Sequence, residues 1–261
     1  MGPQGNYAGL GIDPMLSFSM GSVAGVSCVN KFGYNADVDT TTLPEDVWDA
    51  GGVHVPPTTA RVHALVSTSA ADAAAGTGAR TIKVTGLLAD WTESSETVTL
   101  NGLTPVNTVQ SYTRIYRMKT LTAGSGGVNA GTITATAAID STVTAQISIG
   151  FGQTLMAIYS VPTGNTAYMT SMRASLHRSG APAGAMAEIS LYERTGIDGA
   201  SPALRARHIV GASVTGTGHA TVDTAPYRTF VGPCDVFLRV TESSDNNVGV
   251  TGSFDMILVN S

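Results

Sequence analysis

Five carboxylates near the start of the chain are the densest group of side chains that could bind a metal ion: Asp37, Asp39, Glu45, Asp46 and Asp49. Asp37-Val38-Asp39 begins like a calcium-binding loop, in which acidic side chains alternate. However, Thr41 occupies the next acidic position, and the glycine and glutamate expected later in such a loop do not follow. We therefore predict no metal site and expect these carboxylates to cap turns or face basic residues of a neighbouring chain. Whether Asp37, Asp39 and Asp46 hold a cation through backbone carbonyls stays open.

The histidines provide no catalytic or zinc-binding pattern: His54, His63, His177, His208 and His219. None of them forms HxH or HExxH, the spacings that place two imidazoles on one metal ion. A Ser-His-Asp triad can be assembled from distant positions, but the GxSxG pattern of one large class of hydrolases is absent. We therefore predict a non-enzymatic chain with no catalytic residues and no cofactor.

One aromatic and basic segment, YTRIYRMK, could bind a ligand through a strand face. Tyr112, Arg114, Tyr116 and Met118 alternate and so share one face of a predicted strand. Such a face could hold carbohydrate or contact a partner through cation–π interactions. We expect instead a mixed face that is half covered by another sheet.

The segment from Cys28 to Arg61 is polar, acidic and rich in glycine and proline, yet it carries three large aromatic residues. These aromatics follow neither a helical nor a strand period, so the segment cannot build its own core. They must dock on the following domain or on another subunit. We predict that residues 1–60 form an extended N-terminal arm, and that its aromatic residues anchor a subunit interface: Phe32, Tyr34 and Trp48.

The remainder of the chain predicts an all-β fold. Short alternating runs at 61–68, 80–87, 96–102, 113–121, 131–137 and 142–149 are separated by turn residues. A second series follows at 155–161, 166–178, 185–194, 203–213, 219–225, 235–243 and 248–259. We predict two β-sandwich modules over residues 61–150 and 151–261, the second resembling a jelly roll. An alanine-rich helix is the alternative at 69–76, and the lack of a sequence repeat argues against solenoids and propellers.

Composition limits the function classes. Only 13% of residues are charged, about half of the usual ~25%, which hints at surfaces that pack against other subunits. The net charge is −5 without a basic stripe, so we expect no direct nucleic-acid binding. No apolar run reaches the ~18 residues of a membrane span, so we expect no membrane partner. Cys28 and Cys234 lie far apart and predict small buried side chains rather than a disulfide framework.

The residues VNKFGYNADVDT, followed by PEDVWDAGG and PTTAR, resemble the start of virion structural proteins of tailed bacteriophages, especially those of marine and cyanobacterial hosts. The resemblance continues through STSAADAAAGTGARTIKVTGL and QTLMAIYSVPTG and covers most of residues 29–175. It implies a homo-oligomeric, non-enzymatic virion component made in the host cytoplasm. We expect a trimeric capsid decoration, cement or head-protrusion protein that contacts the major capsid protein. The alternative is a tail or fibre component that contacts tail proteins and binds a host receptor or carbohydrate.

Overall fold

The computed structural model describes residues 14–178, 184–196, 201–212 and 218–260. The fold is all-β, with 61% strand and 3% helix. Its elements, in chain order, are α1 (Pro14–Ser19), β1 (Val26–Val38), β2 (Glu45–Asp46), β3 (His63–Ser67), β4 (Ala79–Leu87), β5 (Glu93–Thr99), β6 (Val106–Asn107), β7 (Arg114–Ala123), β8 (Ile133–Ala137), β9 (Val143–Ile147), β10 (Ile158–Val161), β11 (Asn165–Arg178), β12 (Ala185–Thr195), β13 (Ala203–Ala212), β14 (Gly218–Val231), β15 (Cys234–Ser243) and β16 (Val248–Asn260). Nowhere in the described ranges is there a helix with the length and apolarity to cross a membrane.

The strands form four sheets. Sheet I has the order β1-β16-β11-β14, and sheet II has the order β10-β15-β12-β13, with β2 added beside β15. Sheet III has the order β6-β3-β8-β9, and sheet IV has the order β5-β4-β7. The four sheets are arranged like the blades of a propeller rather than clearly as two sandwiches. A propeller repeats in sequence only when its blades are copies of one segment. Sheet I pairs β1 with β16, the first strand with the last, so it is not formed by one continuous segment. The absence of a sequence repeat therefore does not exclude a propeller-like arrangement.

Two hydrophobic cores lie between the sheets. The first lies between sheets I and II and includes Phe254 and Met172 of sheet I and Leu191 of sheet II. The second consists mainly of side chains from sheets III and IV, but Ile158 and Phe237 of sheet II also belong to it. The part of sheet II formed by β10 and the start of β15 is therefore buried on both faces. This explains why the start of β15 is a continuous buried run instead of an alternating one.

The extended arm predicted over residues 1–60 is corrected at Val26–Val38, which belongs to a sheet. β1 pairs antiparallel with β16 from Val26↔Val259 to Val38↔Val248, so it is a full edge strand of sheet I. Its period was hidden because three of the inward positions carry residues that are not large and apolar. These buried residues are Lys31, Gly33 and Asn35. The aromatic residues that seemed aperiodic alternate with them on the outer face.

Gly33 permits the close approach of β1 to the segments beneath it. A Cβ atom at this position would lie 2.2 Å from the backbone nitrogen of Ala157 and 2.2 Å from the carbonyl oxygen of Val47. Neither backbone atom can move without disturbing a strand. We therefore expect Gly33→Ala to lower the free energy of unfolding by about 2–3 kcal/mol, measured by urea denaturation.

Gly211→Ala is the matched control for this substitution, because it also lies in a strand. The nearest atom to its Cβ would be the Met186 side chain at 3.5 Å, an ordinary contact. We expect the control to change stability by less than about 0.5 kcal/mol. Equal midpoints for the two variants would show that β1 does not approach Val47 and Ala157 this closely.

Each strand predicted after residue 61 overlaps an observed strand, and these predictions are confirmed. The alternative helix at 69–76 is wrong, because a buried carboxylate organises this segment as a loop. Asp72 accepts hydrogen bonds from the backbone nitrogens of Ala79, Ala130 and Gly131 and from the Ser67 hydroxyl. These four contacts satisfy a carboxylate that is fully buried.

Candidate interaction surfaces

The three aromatic residues predicted at a subunit interface lie in two different places. Trp48 is only 4% exposed and belongs to the second core. Its indole nitrogen donates a hydrogen bond to the Gly52 carbonyl at 3.1 Å, and its ring meets His54 edge-on at 5.0 Å. Trp48 therefore packs within its own chain, which corrects its assignment as a surface anchor. Phe32 and Tyr34 lie half-buried on the outer face of sheet I.

The acidic residues near the start of the chain hold the fold together. Asp46 binds the guanidinium of Arg239 through both carboxylate oxygens, at 2.6 and 3.0 Å. Glu45 accepts hydrogen bonds from Asn35 and from the Gly52 backbone. Burial alone would raise the pKa of Glu45, but its hydrogen bonds hold that pKa below the usual value. Within the described residues, no group of three or more His, Cys, Asp or Glu side chains is placed to hold a metal ion.

The YTRIYRMK face is covered, as expected. Tyr112, Arg114, Tyr116 and Met118 are all buried, so this face does not contact ligands from solution. Arg114 packs over the ring of Trp91, with its guanidinium carbon 4.7 Å from the ring centroid. The cation–π interaction considered for a partner is thus made inside the protein.

The outer face of sheet I carries an open groove of about 570 Å³. We call it the sheet I groove, and define it by its lining residues: Phe32, Gly33, Tyr34, Phe151, Leu155, Arg173, Ala174, Ser175, His219, Ala220, Thr221, Thr251, Gly252 and Ser253. All four strands of sheet I contribute to it. Its surface is mostly apolar but includes hydroxyl groups, of which Ser175 and Thr251 are hydrogen-bonded to each other.

Tyr34 and His177 form a stacked pair beside the groove. Their ring centroids are 5.9 Å apart with an angle of 17° between the planes. His177 can lie flat here because its cross-strand neighbour is Gly249. A Cβ atom at Gly249 would lie 2.2 Å from the His177 ring. The glycine thus determines the orientation of this aromatic pair.

The sheet I groove contains basic groups but no carboxylate among its lining residues. Arg173 extends into it with its side chain 49% exposed, and His219 is exposed on the neighbouring strand. The Nη1 atom of Arg173 lies 2.7 Å from Asp255, which lines the adjoining depression toward α1 together with Asp223. The groove therefore carries one arginine, and this arginine is ion-paired with a carboxylate of the adjoining depression.

A second surface is formed by β13, the terminal strand of sheet II. No strand in the described ranges pairs with its outer edge. Leu204 and Ile209 are 53% and 67% exposed on this strand, and Met186 is 55% exposed on the adjacent β12. Part of this edge is used within the chain, because Arg228 donates a hydrogen bond to the Arg205 carbonyl, but the exposed apolar side chains are suited to contact with another chain.

Sequence reasoning missed a buried ionic network at the contact between sheets II and IV. Asp235 accepts hydrogen bonds from Arg114 at 2.9 and 3.0 Å, from Arg194 at 2.9 and 3.0 Å, and from Ser160 at 2.7 Å. Burial alone would raise the pKa of Asp235, but the two guanidinium groups hold that pKa below its usual value. The available signal was a single carboxylate within the apolar run CDVFL.

Sequence reasoning also missed the buried Lys31. Like Asp235, Lys31 is a charged residue at an inward-facing position of a strand. Its Nζ donates a hydrogen bond to the Tyr116 carbonyl and lies 5.6 Å from the centroid of the Tyr116 ring. Burial, and then the nearby Arg117, lower the pKa of Lys31 well below its usual value. The amine is one of the contacts that connect sheet I to sheet IV.

Comparison of the chain with protein-family models, with curated proteins and with solved structures finds no match in any of the three.

Proposed function

We propose that the chain is a non-enzymatic structural component of a tailed-phage virion, a homotrimeric capsid decoration protein that stabilises the particle. The observation that carries this proposal is the group of exposed apolar side chains on β13 and the adjacent β12. Exposed apolar side chains grouped on one surface are typical of protein–protein contact sites. The low charge content and the resemblance of residues 29–175 to virion proteins support the same function.

We also propose that the four sheets act as two sandwich-like modules, 61–150 and 151–261, the second resembling a jelly roll. The two hydrophobic cores support this grouping, because each core draws most of its members from one of these ranges. The Asp235 network would then hold the two modules in one orientation. A rigid body of this kind suits a protein that occupies a fixed position in a capsid lattice and contacts the major capsid protein.

The proposed subunit interface at β13 can be tested on the isolated protein. We expect the native chain to have the mass of a trimer by size-exclusion chromatography with light scattering. The double substitution Leu204→Lys and Ile209→Lys should yield a monomer, because it places two charges on the apolar side chains that flank the β13 edge. The midpoint of thermal unfolding of the separated monomer reports whether the subunit itself stays folded.

Val109→Lys and Ile139→Lys together form the control, because these side chains are 91% and 83% exposed and lie outside β13. We expect this control to remain trimeric. A monomeric native chain, or an equal effect of both double substitutions, would contradict an interface at β13.

The sheet I groove favours the alternative function, a tail or fibre component that binds a host receptor or carbohydrate. Phe32 and Tyr34 line this groove, so we assign them to ligand contact rather than to the subunit interface. Immunogold labelling of intact particles distinguishes the two functions. Labels on the capsid shell support decoration, and labels confined to the tail support the alternative.

A further inference from the structure

We propose that the sheet I groove binds an acidic oligosaccharide, a chain of sugar rings in which some rings carry a carboxylate. This inference does not depend on whether the protein lies on the capsid or on the tail. The groove volume of about 570 Å³ lies within the range of roughly 300–1,000 Å³ that is typical of small-molecule sites.

The floor of the groove favours a ligand rich in hydroxyl groups. Its lining includes Ser175, Thr221, Thr251 and Ser253, whose hydroxyls can both donate and accept hydrogen bonds. The strands beneath them are paired with one another across the whole of sheet I. A peptide therefore cannot add to this surface as a further strand, because the backbone groups under the groove are already used. Side-chain hydroxyls are the recognition groups that remain.

The walls of the groove favour a ligand with flat apolar faces. Phe151 lies in a loop at one side of the groove and is 52% exposed. Phe32 and Tyr34 present ring edges and faces from β1. The Arg117 guanidinium lies 5.7 Å from the Phe32 ring centroid, and His177 supports Tyr34, so both rings are fixed before a ligand arrives. Sugar rings combine apolar faces with hydroxyl edges, and so match both the walls and the floor.

The charges favour a ligand with sparse negative charge. Arg173 and His219 face the groove, whereas no carboxylate lines it. A guanidinium recognises a carboxylate with charge-assisted hydrogen bonds. A single-stranded nucleic acid fits less well, because it carries a phosphate on each nucleotide and needs a continuous basic track. Here the face continues from Arg173 to Asp223 and Asp255, which would repel such a chain.

The test uses the full chain and three trisaccharides as probes, each with two neutral sugars and one uronic acid, which is galacturonate, glucuronate or mannuronate. Each is paired with its methyl ester, which keeps the rings and hydroxyls but removes the charge. We expect isothermal titration calorimetry to detect binding of at least one acid trisaccharide and binding at least ten-fold weaker for its ester. A dodecamer of thymidylate serves as the nucleic-acid competitor.

Two substitutions locate the binding in the groove. Arg173→Gln should weaken binding of the acid trisaccharide roughly ten- to a hundred-fold, because it removes the charged donor. Phe151→Ala should weaken binding of acid and ester alike, because it removes an apolar wall. Arg205→Gln is the control, since this arginine is 38% exposed on β13, outside the groove. The thermal midpoint of each variant is compared with that of the native chain to verify folding.

Binding of an acid trisaccharide that is lost with Arg173→Gln and kept with Arg205→Gln supports the proposal. Four outcomes would overturn it: no binding of any of the three acids, equal binding of acid and ester, equal loss in the two arginine variants, or displacement of the sugar by thymidylate. Self-association of the chain that Phe151→Ala abolishes would also overturn it, in favour of a second copy as the occupant. The first four outcomes leave the β13 interface untouched, whereas self-association through the groove would contradict both proposals.

Discussion

Replacing Asp235 with alanine should lower the free energy of unfolding by about 3–5 kcal/mol, because it leaves two buried guanidinium groups without their carboxylate. The side chain of Asp235 is 1% exposed and that of Arg114 is 3% exposed, so water cannot replace the lost contacts. Arg114 belongs to sheet IV, whereas Asp235 and Arg194 belong to sheet II. Urea denaturation followed by tryptophan fluorescence measures the effect. Asp223→Ala, at an exposed position, is the control and should cost less than about 0.5 kcal/mol.

The contribution of Asp235 should depend on pH in a defined direction. Because its pKa is lower in the folded than in the unfolded chain, the native protein gains stability from this group above the unfolded pKa of about 3.9. That gain is lost as the pH falls through the folded pKa. The stability difference between the native chain and Asp235→Ala should therefore be full at pH 7 and shrink below about pH 4. A difference that stays constant with pH, or a cost below about 1 kcal/mol at pH 7, would show that the network does not hold the sheets together.

Replacing Trp48 with alanine should also lower the free energy of unfolding by about 3–5 kcal/mol, because the indole fills part of the second core. The substitution removes the hydrogen bond to the Gly52 carbonyl and the edge contact with His54 as well. The mass of the oligomer should stay unchanged at a temperature where the variant is folded. Urea denaturation and light scattering on the same sample measure the two quantities.

The outcome of Trp48→Ala separates a core residue from a subunit anchor. Phe32→Ala is the matched control, because this aromatic ring lies on the outer face of sheet I and is only half-buried. It should cost less than Trp48→Ala. If Trp48→Ala dissociated the oligomer while changing subunit stability by less than about 1 kcal/mol, the indole would have to lie between subunits.

The strands after residue 61 could be predicted because their inward side chains are apolar and their connections carry turn residues. β1 could not be predicted, because three of its inward residues are Lys31, Gly33 and Asn35. Gly33 is required by the nearby backbone and Asn35 by Glu45, and both requirements arise only after folding. Alternation of apolar and polar residues indicates a strand only when the buried side chains are apolar. A strand that buries polar residues or glycine shows no such alternation.

The sheet I groove could not be predicted for a topological reason. Its walls and floor combine β1, β11, β14 and β16, and the pairing of β1 with β16 joins residues more than 200 positions apart. The aromatic residues Phe32 and Tyr34 stood out in the sequence, but Arg173, His219 and Thr251 did not. Only the pairing of the strands places these side chains on one face. The acidic residues near the start of the chain were expected to cap turns or to face basic residues of a neighbouring chain, whereas Asp46 binds Arg239 of its own chain.

A reconstruction of the intact particle by electron cryo-microscopy tests the proposed function most directly. The proposal predicts trimeric density on the capsid shell into which the four sheets fit. β13 should lie at the contact between subunits, and the trimer should contact the major capsid protein. Density for this fold on the tail alone, or a particle that does not contain the chain, would contradict it.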